Sequence, residues 1–389
     1  MDQPIPQNLL DDFSFSEPVH ISQPTLPSLE DYTKELEQVW ENRWLTNNGQ
    51  AHITLERRIK KYLAVDHVNL FCNGTIALLV ALQTMKIGDG EVITTPFTFP
   101  ATAHALHWNR IRPVFGDIDP ATYNLDPDKI ESLITPATKA ILPVHVYGTP
   151  CDIDGIKSVA DRHGIPVIYD AAHAMGVRYR GRALADYGDL SILSFHATKL
   201  FTTAEGGALV SHSAEIEQNI YYLKNFGISG EETVESPGIN GKMNELQAAL
   251  GLTTLELVDP EIARRKVLTK QYRKLLGNLP GITLLADAPE TEPNYSYFPI
   301  RIIEDDFGLN RDVVNEELRK INIFPRKYFF PLCSDYDCYR DPSKTEKLAI
   351  AERASKQILC LPLHGRLTPS DVENICGALV ALHKFGQSS

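Results

Sequence analysis

The sequence predicts an α/β protein: a large domain with a mostly parallel sheet flanked by helices, followed by a smaller α+β C-terminal domain. From Val68 onward, short apolar segments alternate with segments of helical length, as they do in parallel α/β structure. The chain has 389 residues, which is enough for a large core and a second, smaller unit. Hydrophobic residues make up 43% of it and charged residues 23%, as is usual for a globular protein.

The elements are expected in the following order. A helix is predicted at 28–44, because Ser28 can cap it and apolar residues recur at helical spacing. A turn that Gly49 closes comes next. Strands are predicted at 91–95, 113–118, 140–146, 166–169, 190–195 and 208–211. Helices are predicted at 76–85, 127–134, 153–162, 245–257 and 372–383.

Three regions are expected along the chain. They are an N-terminal arm at 1–25, a large domain at 26–265 and a small C-terminal domain at 266–389. The border between the domains is set near Arg265, where a more polar helix begins.

Composition excludes several classes of protein. A formal net charge of −12 argues against a general nucleic-acid binder, which needs a basic face. No apolar stretch approaches the roughly 20 residues of a membrane-spanning helix, and the N-terminus lacks the pattern of a signal peptide. The six cysteines lack zinc-site spacing. We therefore expect a cytoplasmic protein with reduced thiols, no bound metal and no membrane or nucleic-acid partner.

Two residues after apolar strands carry the chemical prediction. Lys199 follows the strand at 190–195 among hydroxyl residues and glycines, and Asp170 follows the strand at 166–169. Either residue alone is more often a surface lysine or a turn carboxylate. Together and in this order they indicate pyridoxal phosphate, whose aldehyde forms an imine with a lysine and whose ring nitrogen stays protonated beside a carboxylate.

A turn ahead of a predicted helix is the candidate phosphate site. Gly74 and Thr75 stand just before 76–85, where free backbone N–H groups and the helix dipole attract anions. Ser194 would add a hydroxyl donor. A plain capping turn is the alternative interpretation of this segment.

An aromatic residue is expected to stack on the cofactor ring. Phe97 and Phe99 both follow the strand at 91–95, at the end where ligands of parallel sheets gather. We assign the stacking to Phe99 and a place in the core to Phe97.

The chain resembles the sugar aminotransferases of the DegT/StrS type, which are fold type I pyridoxal-phosphate enzymes. The resemblance covers nearly the whole chain and rests on several ordered motifs. The matching segments are 73–75, 98–99, 144–148, 170–173, 194–199 with 205–207, 240–249 and 361–364.

The resemblance implies a role for each matching residue. It makes Lys199 the lysine that binds the cofactor, Asp170 the partner of the pyridine nitrogen and Phe99 the stacking ring. It also implies that Gly74, Thr75 and Ser194 hold the phosphate and that His173 contacts the ring hydroxyl. Asn240 resembles an asparagine that reaches the phosphate in the neighbouring subunit, which implies a homodimer with shared active sites.

The resemblance also suggests the substrates. The Ser-Phe-His sequence that ends at His196, and the segments 225–228 and 240–243, resemble enzymes that aminate C4 of a nucleotide-linked 4-keto-6-deoxyhexose. The resemblance favours a thymidine-diphosphate sugar, with glutamate as the amino donor. Lys242 and Tyr328 are candidate substrate-binding residues, and Arg326 and Lys327 are candidates for the diphosphate. Amination of a C3-keto or UDP-linked sugar, deoxygenation of a sugar at C3 and a non-catalytic, cofactor-binding regulator are the alternatives. Lys199 argues against the deoxygenases, in which a histidine replaces it.

Overall fold

The structure is a computed structural model that describes residues 5–6, 8–340 and 348–388. The helices are α1 (Leu29–Asn42), α2 (Gln50–Leu63), α3 (Gly74–Thr84), α4 (Pro100–Trp108), α5 (Pro127–Ile130), α6 (Ile153–His163), α7 (Ala214–Leu223), α8 (Glu245–Leu255), α9 (Val258–Leu276), α10 (Glu304–Phe307), α11 (Arg311–Lys320), α12 (Ala349–Gln357) and α13 (Pro369–Ser388). Among the described residues, no helix has both the length and the apolar character needed to cross a membrane.

The strands are short. They are β1 (Val19–His20), β2 (His67–Phe71), β3 (Gly90–Thr94), β4 (Ile111–Phe115), β5 (Thr138–Leu142), β6 (Ile168–Asp170), β7 (Arg178–Tyr179), β8 (Arg182–Ala183), β9 (Leu190–Ser194), β10 (Gly207–Ser211), β11 (Ile228–Gly230), β12 (Thr233–Val234), β13 (Ile282–Leu284), β14 (Thr291–Glu292), β15 (Phe298–Ile302), β16 (Ile323–Phe324) and β17 (Ile358–Leu361).

The central sheet is mostly parallel, as predicted. One part has the order β2-β10-β9-β6 and the other has the order β4-β3-β5. Parallel bridges from Ile141 to Val167 and from Val144 to Asp170 join the two parts. Strand β10 is the exception, because it runs antiparallel to both β2 and β9. Strands β6 and β9 therefore end at the same edge of the sheet, where Asp170 and Ser194 lie.

Several predicted boundaries are corrected. Strand β4 begins and ends earlier than the predicted 113–118, and β5 ends at Leu142 rather than at 146. Helices α2 and α4 were not predicted. Gly49 precedes α2 in extended conformation, and Pro100 stands at the first position of α4, where proline lacks only an N–H that would have no partner. Ser28 caps α1 as predicted, by accepting a hydrogen bond from the Asp31 backbone at 3.1 Å.

The C-terminal region has its own apolar core. Strands β13, β15 and β17 form an antiparallel sheet, and side chains of α9, α11 and α13 pack with it in one hydrophobic cluster. Leu10 belongs to the same cluster, and β1 pairs with β16. The N-terminal arm therefore packs on the C-terminal region.

Helix α9 spans the expected border between the domains at 265/266. Val258, near its start, packs in the core of the large region, whereas Leu268 and Tyr272 pack in the C-terminal core. We propose that the division falls within this helix, and the separate clusters on its two halves support that position.

A lysine is buried behind strand β2. The Lys224 side chain is only 1% exposed, and its Nζ lies 4.0 Å from a Glu56 carboxylate oxygen. Nζ donates a hydrogen bond to the carbonyl of Leu70 at 3.0 Å. Burial lowers the pKa of Lys224 to about 8, despite the nearby carboxylate. The folded protein therefore loses this proton at a lower pH than the unfolded chain does.

This difference makes stability depend on pH. Between pH 8 and about 10.5 the unfolded chain holds the Lys224 proton and the folded chain does not, so the free energy of unfolding rises with pH across this window. In a Lys224→Met variant we expect about 3 kcal/mol of that rise to disappear. Urea unfolding of both proteins from pH 7 to pH 10.5 measures the difference. If the free energy of unfolding changes with pH in the same way in both proteins, the prediction is wrong.

Candidate active site

Lys199 lies in the loop that follows β9. Its backbone N–H donates to the carbonyl of His196 at 2.9 Å, which closes a turn directly after the strand. The half-buried side chain reaches back across the edge of the sheet, and its Nζ donates to the hydroxyl oxygen of Tyr297 at 3.3 Å. The loop therefore presents a primary amine at the carboxyl end of the sheet.

Asp170 ends strand β6 and is 4% exposed. The hydroxyl of Thr102, on α4, donates to its Oδ2 at 2.7 Å. The backbone N–H of Ala172 donates to Oδ1 at 3.1 Å. Two donors from different elements thus fix the carboxylate within the protein.

Burial shifts both ionisable groups toward their neutral forms. It raises the pKa of Asp170, and the Thr102 hydrogen bond acts against that shift. It lowers the pKa of Lys199, and the charge of Asp170 acts against that shift. Each group stabilises the charge of the other, so the two residues predicted from sequence belong to one electrostatic site.

The predicted phosphate turn packs tightly against two strands. Asn73 caps α3 by accepting the N–H of Ile76 at 2.8 Å, and Gly74 begins the helix. A Cβ on Gly74 would lie 3.1 Å from the Cβ of Ser194, and one on Gly207 would lie 2.7 Å from the backbone nitrogen of Gly74. Ser194 therefore lies beside the N-terminus of α3, and glycine at 207 permits the approach of β10.

We expect a Gly207→Ala variant to lose cofactor affinity. The added methyl group would clash with backbone atoms, so the Gly74 turn must move away from Ser194. The affinity should fall by about tenfold or more, which is the typical effect of losing one hydrogen bond to a charged group. A titration with pyridoxal phosphate measures this affinity. Gly88→Ala is the control, because a Cβ at 88 meets nothing within 4 Å. Equal affinities in the two variants would contradict the expected close approach.

The two phenylalanines after β3 differ as the sequence suggested. Phe97 is fully buried, whereas Phe99 is 55% exposed. Phe99 lines a cavity of about 390 Å³ together with Tyr328 and Phe329. Its ring therefore faces accessible space, and Phe97 is a core residue. The stacking role of Phe99 stays a prediction.

His173 is buried close to Lys199. The backbone N–H of Tyr147 donates to its Nδ1 at 3.2 Å, so the proton of the neutral ring is on Nε2. Burial holds the pKa of His173 well below its ordinary value, and the charge of Lys199 adds to this shift. The centre of the ring lies 4.8 Å from that of Tyr297. His173 can therefore donate one hydrogen bond from Nε2 to an acceptor.

Asn240 and Lys242 contact each other within the chain. Lys242 Nζ donates to Asn240 Oδ1 at 2.9 Å and lies 4.8 Å from the ring centre of Phe226. Lys242 is buried, and burial lowers its pKa. Asn240 is exposed, in a position to meet another molecule.

The two other candidate substrate residues have different surroundings. His196 Nδ1 lies 2.9 Å from the hydroxyl of Thr198, and its Nε2 lies 3.7 Å from a carboxylate oxygen of Glu205, so its ring is engaged locally. Tyr328 lies in the aromatic group around Lys199, with its ring centre 5.9 Å from that of Tyr297. Its backbone carbonyl accepts the hydroxyl of Tyr147.

Three residues of the site were not predicted from the sequence. Thr102 holds Asp170, Tyr297 contacts Lys199, and Asn294 donates to the carbonyls of His173 and Met175 at 2.8 and 2.9 Å. Thr102 follows Pro100 at a helix start, which is a signal that could have drawn attention to it. Asn294 and Tyr297 come from a segment without regular periodicity, and only the fold brings them to the site.

Comparison with known proteins agrees with this geometry. The model of the DegT/DnrJ/EryC1/StrS aminotransferase family matches residues 28–380. A dTDP-4-amino-4,6-dideoxy-D-glucose transaminase of Escherichia coli is 46% identical over 93% of this chain and 98% of its own length. GDP-perosamine synthase of Caulobacter vibrioides is 35% identical over 86% of this chain and 91% of its own length.

A solved structure extends the likeness to three dimensions. The crystal structure of DesI in the presence of its TDP-sugar product superposes with a TM-score of 0.93 at 34% identity, and 98% of each chain is covered. Sequence and structure therefore agree over nearly the whole chain. The protein belongs to the DegT/DnrJ/EryC1/StrS aminotransferase family.

Proposed function

We propose that this protein transfers the amino group of glutamate to C4 of dTDP-4-keto-6-deoxyglucose, with pyridoxal phosphate as cofactor. The product would be dTDP-4-amino-4,6-dideoxy-D-glucose. The observation that carries the proposal is the pairing of the Lys199 amine with the buried Asp170 carboxylate at one edge of the sheet. The Escherichia coli transaminase, with its high identity over nearly the full length, supports this particular sugar.

The residues at this edge fit pyridoxal phosphate. Gly74, Thr75 and Ser194 would hold the phosphate, because a helix N-terminus, a hydroxyl and a turn without a side chain at 74 suit a bulky anion. Phe99 offers an exposed ring for stacking, and Nε2–H of His173 offers a donor for the ring hydroxyl. These residues would supply partners for the phosphate and the ring hydroxyl of that molecule.

Bound pyridoxal phosphate would supply an aldehyde that condenses with amines and a ring that accepts electrons from the adjacent carbon. The amine of Lys199 would then serve as the base at the substrate carbon, and its lowered pKa keeps a larger fraction of it neutral. Asp170 would hold a proton on the ring nitrogen. The hydrogen bond from Thr102 helps Asp170 to stay ionised for this role.

A cationic cavity supports a nucleotide-linked substrate. Arg319, Arg326 and Lys327 line the same 390 Å³ cavity as Phe99 and Tyr328. Among the described residues, the buried Oδ1 of Asn315 at this cavity has no hydrogen-bond partner. We propose that the cations bind the diphosphate and that Tyr328 contacts the sugar. Lys242 and His196 complete the set of proposed substrate contacts.

We further propose a homodimer with shared active sites. Trp40 is 64% exposed and Trp44 is 56% exposed, although both are large apolar side chains. Leu246, on α8, is also exposed, and α8 packs against α1. Contiguous exposed apolar patches mark interaction surfaces, and Trp40 and Leu246 come from two helices that pack against each other. Asn240 is exposed as well, as a contact to the neighbouring subunit's phosphate requires.

The test uses the purified full chain with pyridoxal phosphate and glutamate. We expect glutamate to remove the visible absorbance of the lysine-bound cofactor, and dTDP-4-keto-6-deoxyglucose to restore it with formation of a C4 amine, identified by mass and NMR. The preparation should sediment as a dimer. If only a UDP- or GDP-linked sugar, or a C3-keto sugar, restores the absorbance, that sugar is the substrate instead. No response to glutamate would favour a non-catalytic binding protein.

A further inference from the structure

Tyr297 is the residue that contacts the amine of Lys199. Its hydroxyl oxygen lies 3.3 Å from Nζ, and the same Nζ lies 6.0 Å from the ring centre. The tyrosine comes from the chain just before β15, in the C-terminal sheet, whereas the lysine belongs to the large region. The contact therefore joins the two regions at the reacting atom.

The fold fixes this phenol through a neighbouring asparagine. Asn294 donates to the carbonyls of His173 and Met175, and its Oδ1 accepts the N–H of Ser296 at 3.1 Å. The segment that carries Tyr297 is thus tied to the segment that follows Asp170. The phenol and the lysine are held by elements that meet at the same edge of the sheet.

Three aromatic rings pack around the phenol ring and limit its movement. The ring of Tyr297 lies 4.8 Å from His173, 5.5 Å from Tyr147 and 5.9 Å from Tyr328, measured between ring centres. Burial raises the pKa of Tyr297 well above its ordinary value, so the hydroxyl stays neutral at neutral pH. A neutral phenol oxygen can accept one N–H of Lys199 and leave the lone pair of the amine free.

We propose that Tyr297 is a positioning residue that orients the amine of Lys199 for proton transfer at the substrate carbon. The proposal rests on the proposed function, in which Lys199 is the reacting amine. A hydrogen bond that the amine donates limits rotation about its terminal bond, so the lone pair points into the site. The same bond favours the ammonium form over the amine, because hydrogen bonds from charged donors are stronger.

The test compares Tyr297→Phe with wild type in two measurements. In the cofactor-free full chain, the rate at which acetic anhydride labels Lys199 is followed against pH by mass spectrometry, and this gives the pKa of the amine. We expect this pKa to fall by about one pH unit in the variant, since one hydrogen bond to a charged group is lost. In the holoenzyme, the single-turnover rate with glutamate should fall by about tenfold or more, with little change in glutamate affinity.

The controls separate the hydroxyl from the ring. Tyr297→Phe keeps the ring and its contact with Nζ, so the difference reports the hydroxyl alone. Tyr297→His keeps an acceptor atom on a ring and should regain part of the rate. Tyr295→Phe changes a tyrosine in the same segment, beside Asp287 and Arg273, and should match wild type in both measurements.

The outcomes distinguish this proposal from the proposed function. An unchanged amine pKa together with an unchanged single-turnover rate in Tyr297→Phe would overturn the role of Tyr297. If Tyr297→Phe does not fold, Tyr297→Leu, which also lacks the hydroxyl, takes its place: a Lys199 pKa lowered by about one unit with a slower single turnover supports the role, and wild-type values of both overturn it. If wild type itself does not respond to glutamate, the proposed function fails, and the titration of Lys199 still tests the hydrogen bond.

Discussion

Replacement of Lys199 by alanine is expected to abolish amination. The amine is the nucleophile that would bind the cofactor and the base that would move the substrate proton, and its removal takes away both roles. Loss of such a group typically lowers kcat by about 10⁵-fold or more. The measurement is the rate of glutamate-dependent formation of the amino sugar, together with the visible spectrum of the protein mixed with pyridoxal phosphate.

Two further variants identify the cause of this loss. Lys199→Arg keeps a positive charge but has no amine to condense with an aldehyde, so it should be as inactive as Lys199→Ala. Lys157→Ala removes an exposed lysine that pairs with Asp161 at 2.6 Å on α6, and its activity should equal that of wild type. Undiminished turnover in Lys199→Ala would show that Lys199 does not have the proposed catalytic role.

The sequence predicted the positions of Asp170 and Lys199 because both follow short apolar strands. A run of buried residues that ends in a charged one marks the carboxyl edge of a parallel sheet, and ligands gather at this edge. The structure brings the two residues together because β6 pairs with β9 in parallel.

The direction of β10 could not be predicted in this way. Its residues, Gly207–Ser211, are buried throughout, so the strand shows neither alternation nor any feature that differs between its two directions. The antiparallel course depends on the connection at 195–206, which contains Lys199 and returns the chain beside β9. Glycine at 207 signals a close backbone approach but does not reveal the partner.

The residues that support the site escaped prediction for a related reason. Thr102 contacts Asp170 from α4, a helix that was not predicted, and Tyr297 reaches Lys199 from another region of the chain. Such contacts depend on how distant segments pack together. A single sequence without a recognisable spacing between these residues does not contain that information.

Asp170→Asn is expected to lower kcat by about 10²–10³-fold, as is typical when one preorganised electrostatic contact at a reacting group is lost. The asparagine keeps the shape of the side chain, and its oxygen can accept the N–H of Ala172 while its amide nitrogen donates to the Thr102 hydroxyl oxygen. It has no charge to hold a proton on the pyridine nitrogen. The cofactor should still bind, because Lys199 and the phosphate turn are unchanged. Steady-state rates at saturating glutamate and sugar nucleotide, compared with spectra of the bound cofactor, measure the effect.

The pH dependence of the rate tests the role of the charge. Because burial raises the pKa of Asp170 and the Thr102 hydroxyl lowers it, activity should fall as the pH drops through that raised pKa. Thr102→Val removes the hydroxyl, so the pKa of Asp170 should rise further and the acid limb of the rate profile should move to higher pH. Asp170→Asn should lose this limb altogether. A profile that is identical in wild type and Thr102→Val, or an Asp170→Asn protein with full kcat, would assign the carboxylate a structural role instead.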